Sequence, residues 1–326
     1  MKEIKWGIIG CGDVTELKSG PAFNKVPNSS LVAVMRRDGA KAMDYAQRHH
    51  VPKWYDNAEA LLNDPEVNAI YVATPPSSHE YYTIEALKRG KPVYVEKPMS
   101  VNAGSCIKMA GVSKETGVKL TIAHYRRAVP VFKKVKELID SGTIGKIRFA
   151  DMHFYQPALT ELAANPTHNW RINPEISGGG IFHDLAPHLL DLMYYYFGPI
   201  RSSSGISWNQ ADLYPADDIV SGSVVFENGI IFHGLWCFTV PVGEERDECI
   251  IMGTEGKIQF SVFGHTCTLV KVKKSEIFEF KAPEHIQQPM IGEVTKYFLG
   301  DGPNPCPPEE AAEVMRVMDT FTIKAS

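Results

Sequence analysis

Gly10-Cys11-Gly12 is the first place in the chain where residue type and spacing suit a defined chemistry. Glycines between a strand and a helix let the backbone turn sharply and bring its N–H groups close to a pyrophosphate. Asp13 and Val14 follow as the first helical residues, so Gly10, Cys11, Gly12, Asp13 and Val14 form a candidate phosphate cradle. The third position of the G-x-G-x-x-G spacing holds Thr15, and Pro21 is expected to shorten or distort the helix that follows. At the end of the second apolar strand an acid would select NAD through the ribose 2′-OH. Here the pair Arg36-Arg37 stands in that place, with Lys41 just beyond and Asp38 the only acid nearby. Guanidinium groups suit a 2′-phosphate, which predicts NADP, with NAD as the alternative. The plainer reading is a glycine turn and a solvated basic strand end.

Two further segments follow apolar strands: Thr74-Pro75-Pro76-Ser77-Ser78-His79 and Glu96-Lys97-Pro98. Carboxyl ends of parallel strands are where open α/β sheets bind ligands. A third segment runs from Gly178-Gly179-Gly180 through Asp184 and His188 to Asp191. Asp184 and His188 are four apart, so one helix face presents both. A lysine ammonium can stabilise charge on an oxygen, and a histidine can exchange its proton near neutrality.

The elements that must hold these groups read as strand–helix alternation in the first part of the chain. Strands are expected at Ile4–Ile9, Leu31–Met35, Ala69–Ala73, Pro92–Val95 and Lys119–Ala123. Helices are expected at Ala40–His49, Asn57–Leu62, His79–Lys88 (closed by Gly90) and Ala103–Glu115 (closed by Gly117). Continuous apolar strands spaced by helices imply a parallel sheet covered on both faces. After a helix at Val131–Ile139 the pattern turns to strands: Ile147–Tyr155, Ile219–Phe226, Ile230–Phe238, Glu248–Met252, Lys257–Phe263 and Thr266–Val272. The hairpin signals Glu227-Asn228-Gly229 and Gly253-Thr254-Glu255-Gly256 make this sheet largely antiparallel. Single helices are expected at Ile181–Phe197 and Glu309–Ile323. The fold class is therefore α/β, a doubly wound parallel sheet (1–123) followed by an α+β domain with a large, mostly antiparallel sheet (124–326).

Composition excludes several alternatives. The chain has 326 residues, 22% charged and 44% hydrophobic, near the averages for a soluble globular protein. Lys+Arg less Asp+Glu is 34 − 38 = −4, so no basic field is present for nucleic acid or an anionic membrane. No run of eighteen apolar residues offers a membrane span, and the start, Met1 to Ile9, has no signal-peptide pattern. The six cysteines contain no C-x-x-C pair and suit a reducing cytoplasm. His49, His50, His79 and His183 fit no ligand spacing, so no metal is expected.

The ordered set of glycine turn, T-P-x-x-x-H, E-K-P and G-G-G-x-x-x-D-x-x-x-H-x-x-D resembles the glucose–fructose oxidoreductase/inositol dehydrogenase family, Gfo/Idh/MocA, over nearly the whole chain. The resemblance implies a Rossmann domain (1–123) and a substrate-binding and oligomerisation domain (124–326). It also implies an NAD(P)-dependent oxidoreductase moving a hydride to or from a sugar, polyol or related carbonyl. By that resemblance the catalytic set is Lys97, Asp184 and His188. The cofactor set adds Thr74, Pro75, Ser77, His79, Glu96 and Lys97 to the residues above. Trp170-Arg171 matches a pair in the 1,5-anhydrofructose reductase subfamily, so both join the cofactor set. Tyr125, Arg171, Asp184 and His188 are expected to meet substrate. Dimeric dihydrodiol dehydrogenases carry Tyr at the His188 position, and this chain does not. Lys97 can alternatively pair with Glu96, Trp170-Arg171 can be a stacked surface pair, and Tyr125 can be packing. Asp191 and the run Tyr194 to Phe197 read as structural. A homodimer or homotetramer through the second sheet is expected, because Ile230–Phe238 alternates too little to leave one face in water. Two other functions stay open: a non-redox sugar- or nucleotide-binding member, and an enzyme using tightly held NAD(P) transiently in glycoside cleavage.

Overall fold

The computed structural model describes residues 2–158, 169–272 and 274–322. Their contacts group into two compact units, one of residues 1–129 with 283–312, the other of residues 130–282 with the chain from Glu313 onward. Sequence patterning places one boundary near residues 123–130. The structure returns the segment 283–312 to the first unit, which a linear reading has no means of seeing.

In the first unit, β1 (Ile4–Ile9), β2 (Ser29–Met35), β3 (Lys53–Tyr55), β4 (Ala69–Val72), β5 (Val93–Val95) and β6 (Leu120–Ile122) make a parallel sheet in the order 3-2-1-4-5-6. That is the doubly wound dinucleotide-binding order, with its switch point between β1 and β4. The helices are α1 (Asp13–Leu17), α2 (Gly39–Arg48), α3 (Ala58–Asn63), α4 (His79–Lys88) and α5 (Ala103–Thr116). α1 has only five residues before the chain passes into a 3-10 turn at Gly20–Asn24 carrying Pro21, the shortening that Pro21 predicts. Trp6, Phe23, Tyr71 and Tyr94 form the fully buried aromatic centre, with Tyr71 and Tyr94 stacked at 5.2 Å.

In the second unit, β7 (Ile147–Pro157), β8 (Ile200–Trp208), β9 (Ile219–Phe226), β10 (Ile231–Val240), β11 (Arg246–Gly253), β12 (Lys257–Phe260), β13 (Thr266–Lys271) and β14 (Lys274–Glu279) form one sheet in the order 14-13-12-11-7-10-9-8. Only the β7–β10 pair is parallel. The helices are α6 (Pro130–Asp140), α7 (Pro174–Ser177), α8 (Ile181–Leu185) and α9 (Pro187–Phe197). Helix α10 (Gln288–Leu299) belongs to the first unit, and α11 (Pro308–Phe321) crosses from one unit's segment to the other's. α6, α9 and α11 cover one sheet face: Phe132 meets Phe260, Phe197 meets Phe226, and Phe321 meets Trp236. Gly205 and Gly222 leave the slot for Phe321, since a Cβ at either would come within 2.7 Å of its ring.

Three expectations need correction. The helix at Ile181–Phe197 is two helices, because Pro187 has no N–H to return to the turn before it. β10 does alternate: Phe232, Trp236 and Phe238 are buried, while Ile231 and His233 are exposed. Pairing register, which the apolar run concealed, sets this alternation. Finally β3, β8, β14 and α10 carry no assignment in the sequence reading. β8 is serine-rich and at an edge, so it looks like loop. α10 was legible: Met290, Ile291, Val294 and Phe298 share a helical face, and Gly300 closes it at φ +92°. No described helix is long and apolar enough to cross a membrane.

Candidate active site

In the first unit the ends of β1, β2, β4 and β5 carry the predicted cofactor residues other than Trp170 and Arg171, which belong to the second unit. Gly10 sits at φ +95°, and a Cβ there would lie 2.8 Å from the Thr74 backbone nitrogen, so β1 and β4 can approach only with glycine. Gly12 differs. A Cβ there would meet nothing nearer than the Gly10 carbonyl at 4.0 Å, and no side chain caps the helix it starts. Packing within the protein therefore does not require that glycine, whereas a pyrophosphate approaching the α1 backbone does. The residues present fit a dinucleotide.

Thr15, at the third fingerprint position, is buried; its hydroxyl donates to the Gly12 carbonyl at 2.7 Å and its own carbonyl accepts from Tyr45 at 2.9 Å. The Cys11 thiol is buried and its pKa is pushed up to about 11 by that burial, so Cys11 offers its backbone rather than sulfur chemistry. Arg36 is half-buried with Nη1 3.4 Å from the Cys11 carbonyl, which sets its guanidinium beside the turn. Arg37 and Lys41 are exposed. Asp38 accepts from the Lys41 backbone N–H at 3.2 Å and caps α2, which holds its carboxyl below its usual range.

Pro75 is half-buried and Ser77 exposed after β4, while Thr74 Oγ1 accepts from Ser78 at 2.8 Å. His79 is fully buried. Its Nε2 lies 2.7 Å from the Thr74 carbonyl and its Nδ1 3.0 Å from the Pro98 carbonyl, so the ring stands between the two motifs and, when neutral, donates to one of these carbonyls. Burial pushes its pKa down to about 4, against the pull of the carbonyls. His79, expected in the cofactor set, is placed with both ring nitrogens near backbone carbonyls of the two motifs. The Glu96 carboxyl also turns inward. It accepts from the Tyr71 hydroxyl, from Gln287 Nε2 at 2.6 Å and from the Lys97 backbone N–H at 3.1 Å. Lys97 itself is half-buried. Tyr125 lies in the first unit, 5% exposed, with the Arg126 guanidinium 5.6 Å from its ring. Tyr71 and Gln287 are the polar groups that sequence reasoning missed: one looked like core in a β-rich run, and the other stands nearly two hundred residues from the strand it supports.

In the second unit Trp170, Arg171, Asp184 and His188 fall in one neighbourhood. The Arg171 guanidinium stacks 4.7 Å from the Trp170 ring, and its Nε donates to Asp184 Oδ2 at 3.3 Å. Each glycine of the triplet has its own reason. Gly178 closes α7 at φ +94°. A Cβ on Gly179 would sit 2.2 Å from the His183 ring, and one on Gly180 2.2 Å from the Ala216 methyl. His183 is buried and its pKa pushed down to about 4 by desolvation, so it is a neutral packing residue at pH 7. Ala186 stays right-handed, and the bonds Ala186 N–H to Phe182 and Leu190 N–H to Ala186 carry the helical path past Pro187. Asp184 and His188 thus remain one turn apart. His188 is buried with its ring edge-on to Phe263, and Asp191 is fully buried. Among the described residues no group of three His, Cys, Asp or Glu is placed to hold a metal ion.

A doubly wound sheet with a glycine turn at its switch point, in a chain that also carries a large, mostly antiparallel sheet, defines a class of dinucleotide-binding proteins. Family comparisons identify which one. Residues 4–124 match the oxidoreductase family with an NAD-binding Rossmann fold, and residues 132–259 match the GFO/IDH/MocA C-terminal domain. The chain is 48% identical over 318 residues to oxidoreductase P35 of Formosa agariphila, covering 98% of both. It is 27% identical to the trans-1,2-dihydrobenzene-1,2-diol dehydrogenase of Bos taurus, over 78% of this chain and 73% of that one. Its fold superposes on levoglucosan dehydrogenase, solved with NADH and levoglucosan, with a TM-score of 0.85 at 18% identity, covering 98% of this chain and 96% of the other. The chain belongs to the GFO/IDH/MocA family. It is an NAD(P)-binding dehydrogenase or reductase acting on CH–OH groups.

Proposed function

We propose that this oxidoreductase prefers NADP and acts on a sugar, polyol or related carbonyl. The observation that carries the cofactor reading is at the end of β2. Arg36 is set against the glycine turn, Arg37 is exposed, and the one nearby acid, Asp38, is engaged as the α2 cap and by the Lys41 ammonium at 3.4 Å. Cationic, planar donors there favour a 2′-phosphate over a ribose hydroxyl. The sugar-like substrate class draws support from the levoglucosan bound in the superposable dehydrogenase. That structure holds NADH, so the NADP preference rests on this chain's own arginines.

When bound, the nicotinamide supplies or accepts the hydride. In this reading the Lys97 ammonium stabilises charge on the substrate oxygen, and His188 exchanges its proton. Asp184 holds a substrate hydroxyl or orients Arg171, and Tyr125 and Arg171 contribute further contacts. We further propose a homodimer or homotetramer built on the open face of the second sheet, and a reducing cytoplasmic setting suited to six scattered cysteines with no C-x-x-C pair. Dissociation constants for NADP and NAD, followed by a screen of sugars and polyols at the nicotinamide absorbance, test the reading. NADP is expected to bind at least about tenfold tighter, and Arg36→Glu with Arg37→Ser is expected to erase the difference, since a charged hydrogen bond is worth about 1.5–3 kcal/mol. Equal affinities in the unmodified protein contradict the cofactor assignment. Turnover of free cofactor separates a dehydrogenase from a pure binding protein and from an enzyme that recycles a tightly held cofactor.

A further inference from the structure

The loop that carries Lys97 is held from beneath by a residue of the returning segment. Gln287 is fully buried at the start of α10. Its backbone N–H donates to the Lys18 carbonyl at 3.1 Å, just past α1, and His285, two residues before it, has Nδ1 2.7 Å from the Leu17 carbonyl. Its side-chain amide makes two contacts of opposite polarity: Nε2 donates to Glu96 Oε1 at 2.6 Å, and Oε1 accepts from the Tyr94 hydroxyl at 3.2 Å. That pairing fixes which way the amide points, because a flipped amide would set oxygen against a carboxylate oxygen. Tyr71 donates to the same Glu96 oxygen, and the other Glu96 oxygen accepts the Lys97 backbone N–H.

A buried acid with three converging donors has one low-energy orientation, and partly satisfied networks of this kind lose it. Glu96 is therefore a relay between the returning segment and Lys97. We infer that Gln287 is a positioning residue for Lys97: through Glu96 it fixes the backbone from which the amine projects, and it ties that backbone to the exit of the cofactor-binding turn. The inference rests on the role proposed above for Lys97.

The test is competitive labelling of lysine amines by acetic anhydride, read by mass spectrometry on the full chain from about pH 6 to about pH 9, with and without saturating NADP or NAD. Lys274, with a side chain 75% exposed, is the internal reference. Gln287→Leu is expected to raise Lys97 labelling relative to Lys274 about tenfold, the change one hydrogen bond to a charged group supports. Tyr71→Phe removes the second donor to the same oxygen and is expected to act in the same direction, which keeps the test open should the first variant not fold. Gln287→Glu keeps the shape. Its carboxyl can donate to Glu96 only when protonated, so it is expected to resemble the unmodified protein at the acid end and Gln287→Leu at the basic end. Thr295→Val, a buried near-isosteric change on the same helix, is expected to leave Lys97 unchanged.

Unaltered Lys97 labelling in folded Gln287→Leu and Tyr71→Phe overturns the inference. So does a Gln287→Glu profile identical to the unmodified one, or an equal effect from Thr295→Val. If those results come with cofactor protection of Lys97 intact, only the positioning role is lost. If neither cofactor protects Lys97 in the unmodified protein, the role of Lys97 fails and takes this inference with it.

Discussion

Lys97 and His188, the two groups proposed to act on the substrate oxygen, have different surroundings. Lys97 follows a strand end in the first unit and is half-buried, whereas His188 is almost wholly buried on α9 against Phe263. Removing a charge that acts only as the substrate oxygen changes its bonding lowers turnover and spares cofactor binding. Lys97→Ala is therefore expected to cut kcat by about 10²–10³ with the NADP dissociation constant nearly unchanged. His188→Asn keeps size and polarity but cannot carry the proton, so a loss of about 10²–10⁴ and a flattened pH profile near neutrality are expected. The double variant should lose less than the product of the two if, as proposed, both groups act on one oxygen. Steady-state kinetics with fluorescence titration of NADP checks this. Near-normal turnover in either folded variant refutes that residue's role and moves attention to Asp184 or Tyr125.

At the scale of elements, glycines that look alike in the sequence do different jobs. Gly12 opens α1 beneath empty space, while Gly179 lies against the His183 ring. Gly12→Ala is expected to leave the melting temperature close to that of the unmodified protein and to weaken NADP binding at least about tenfold, by standing where a pyrophosphate approaches. Gly179→Ala is expected to do the reverse. Its methyl must displace a buried imidazole, at a cost of about 1–3 kcal/mol in stability, with cofactor affinity retained. Thermal unfolding and cofactor titration of both variants form a crossed pair of measurements. Lost stability in Gly12→Ala, or unchanged affinity, counts against the cradle. The break at Pro187 belongs to this scale too: proline divides one predicted helix into two, yet the right-handed backbone at Ala186 leaves Asp184 and His188 in helical phase.

At the scale of the whole molecule, pairing register collects Phe149, Ile206, Trp208, Ile231 and Ile277 on the sheet face opposite the helices, each between 43% and 64% exposed. These apolar groups, with half-buried Leu235 and Ile250, share that face with Asp151, His153 and His233 and are the surface on which the proposed assembly rests. Light scattering at micromolar concentration is expected to show a dimer or tetramer. Ile231→Asp with Trp208→Ser is expected to shift it to smaller species while thermal unfolding of the chain remains cooperative. A monomeric unmodified protein contradicts the assembly.

Local patterning alone determined the strand–helix alternation through residue 123, the glycine turn, the arginines after β2 and the spacing of Asp184 and His188. Each is a matter of period, turn chemistry or side-chain type within a few residues, and such signals survive without tertiary context. The four ordered motifs carried the family. Tertiary structure decided what depends on distant partners. Gln287 joins Glu96 only because α10 returns to the first unit, and His79 faces two carbonyls only because β4 and β5 lie side by side. The apolar run of β10 became a two-faced strand once β7 and β9 fixed its register, and β8 became a strand because β9 supplied the pairing its serines could not announce. Contacts between residues far apart in the chain leave no periodic trace in either segment, so folding had to reveal them.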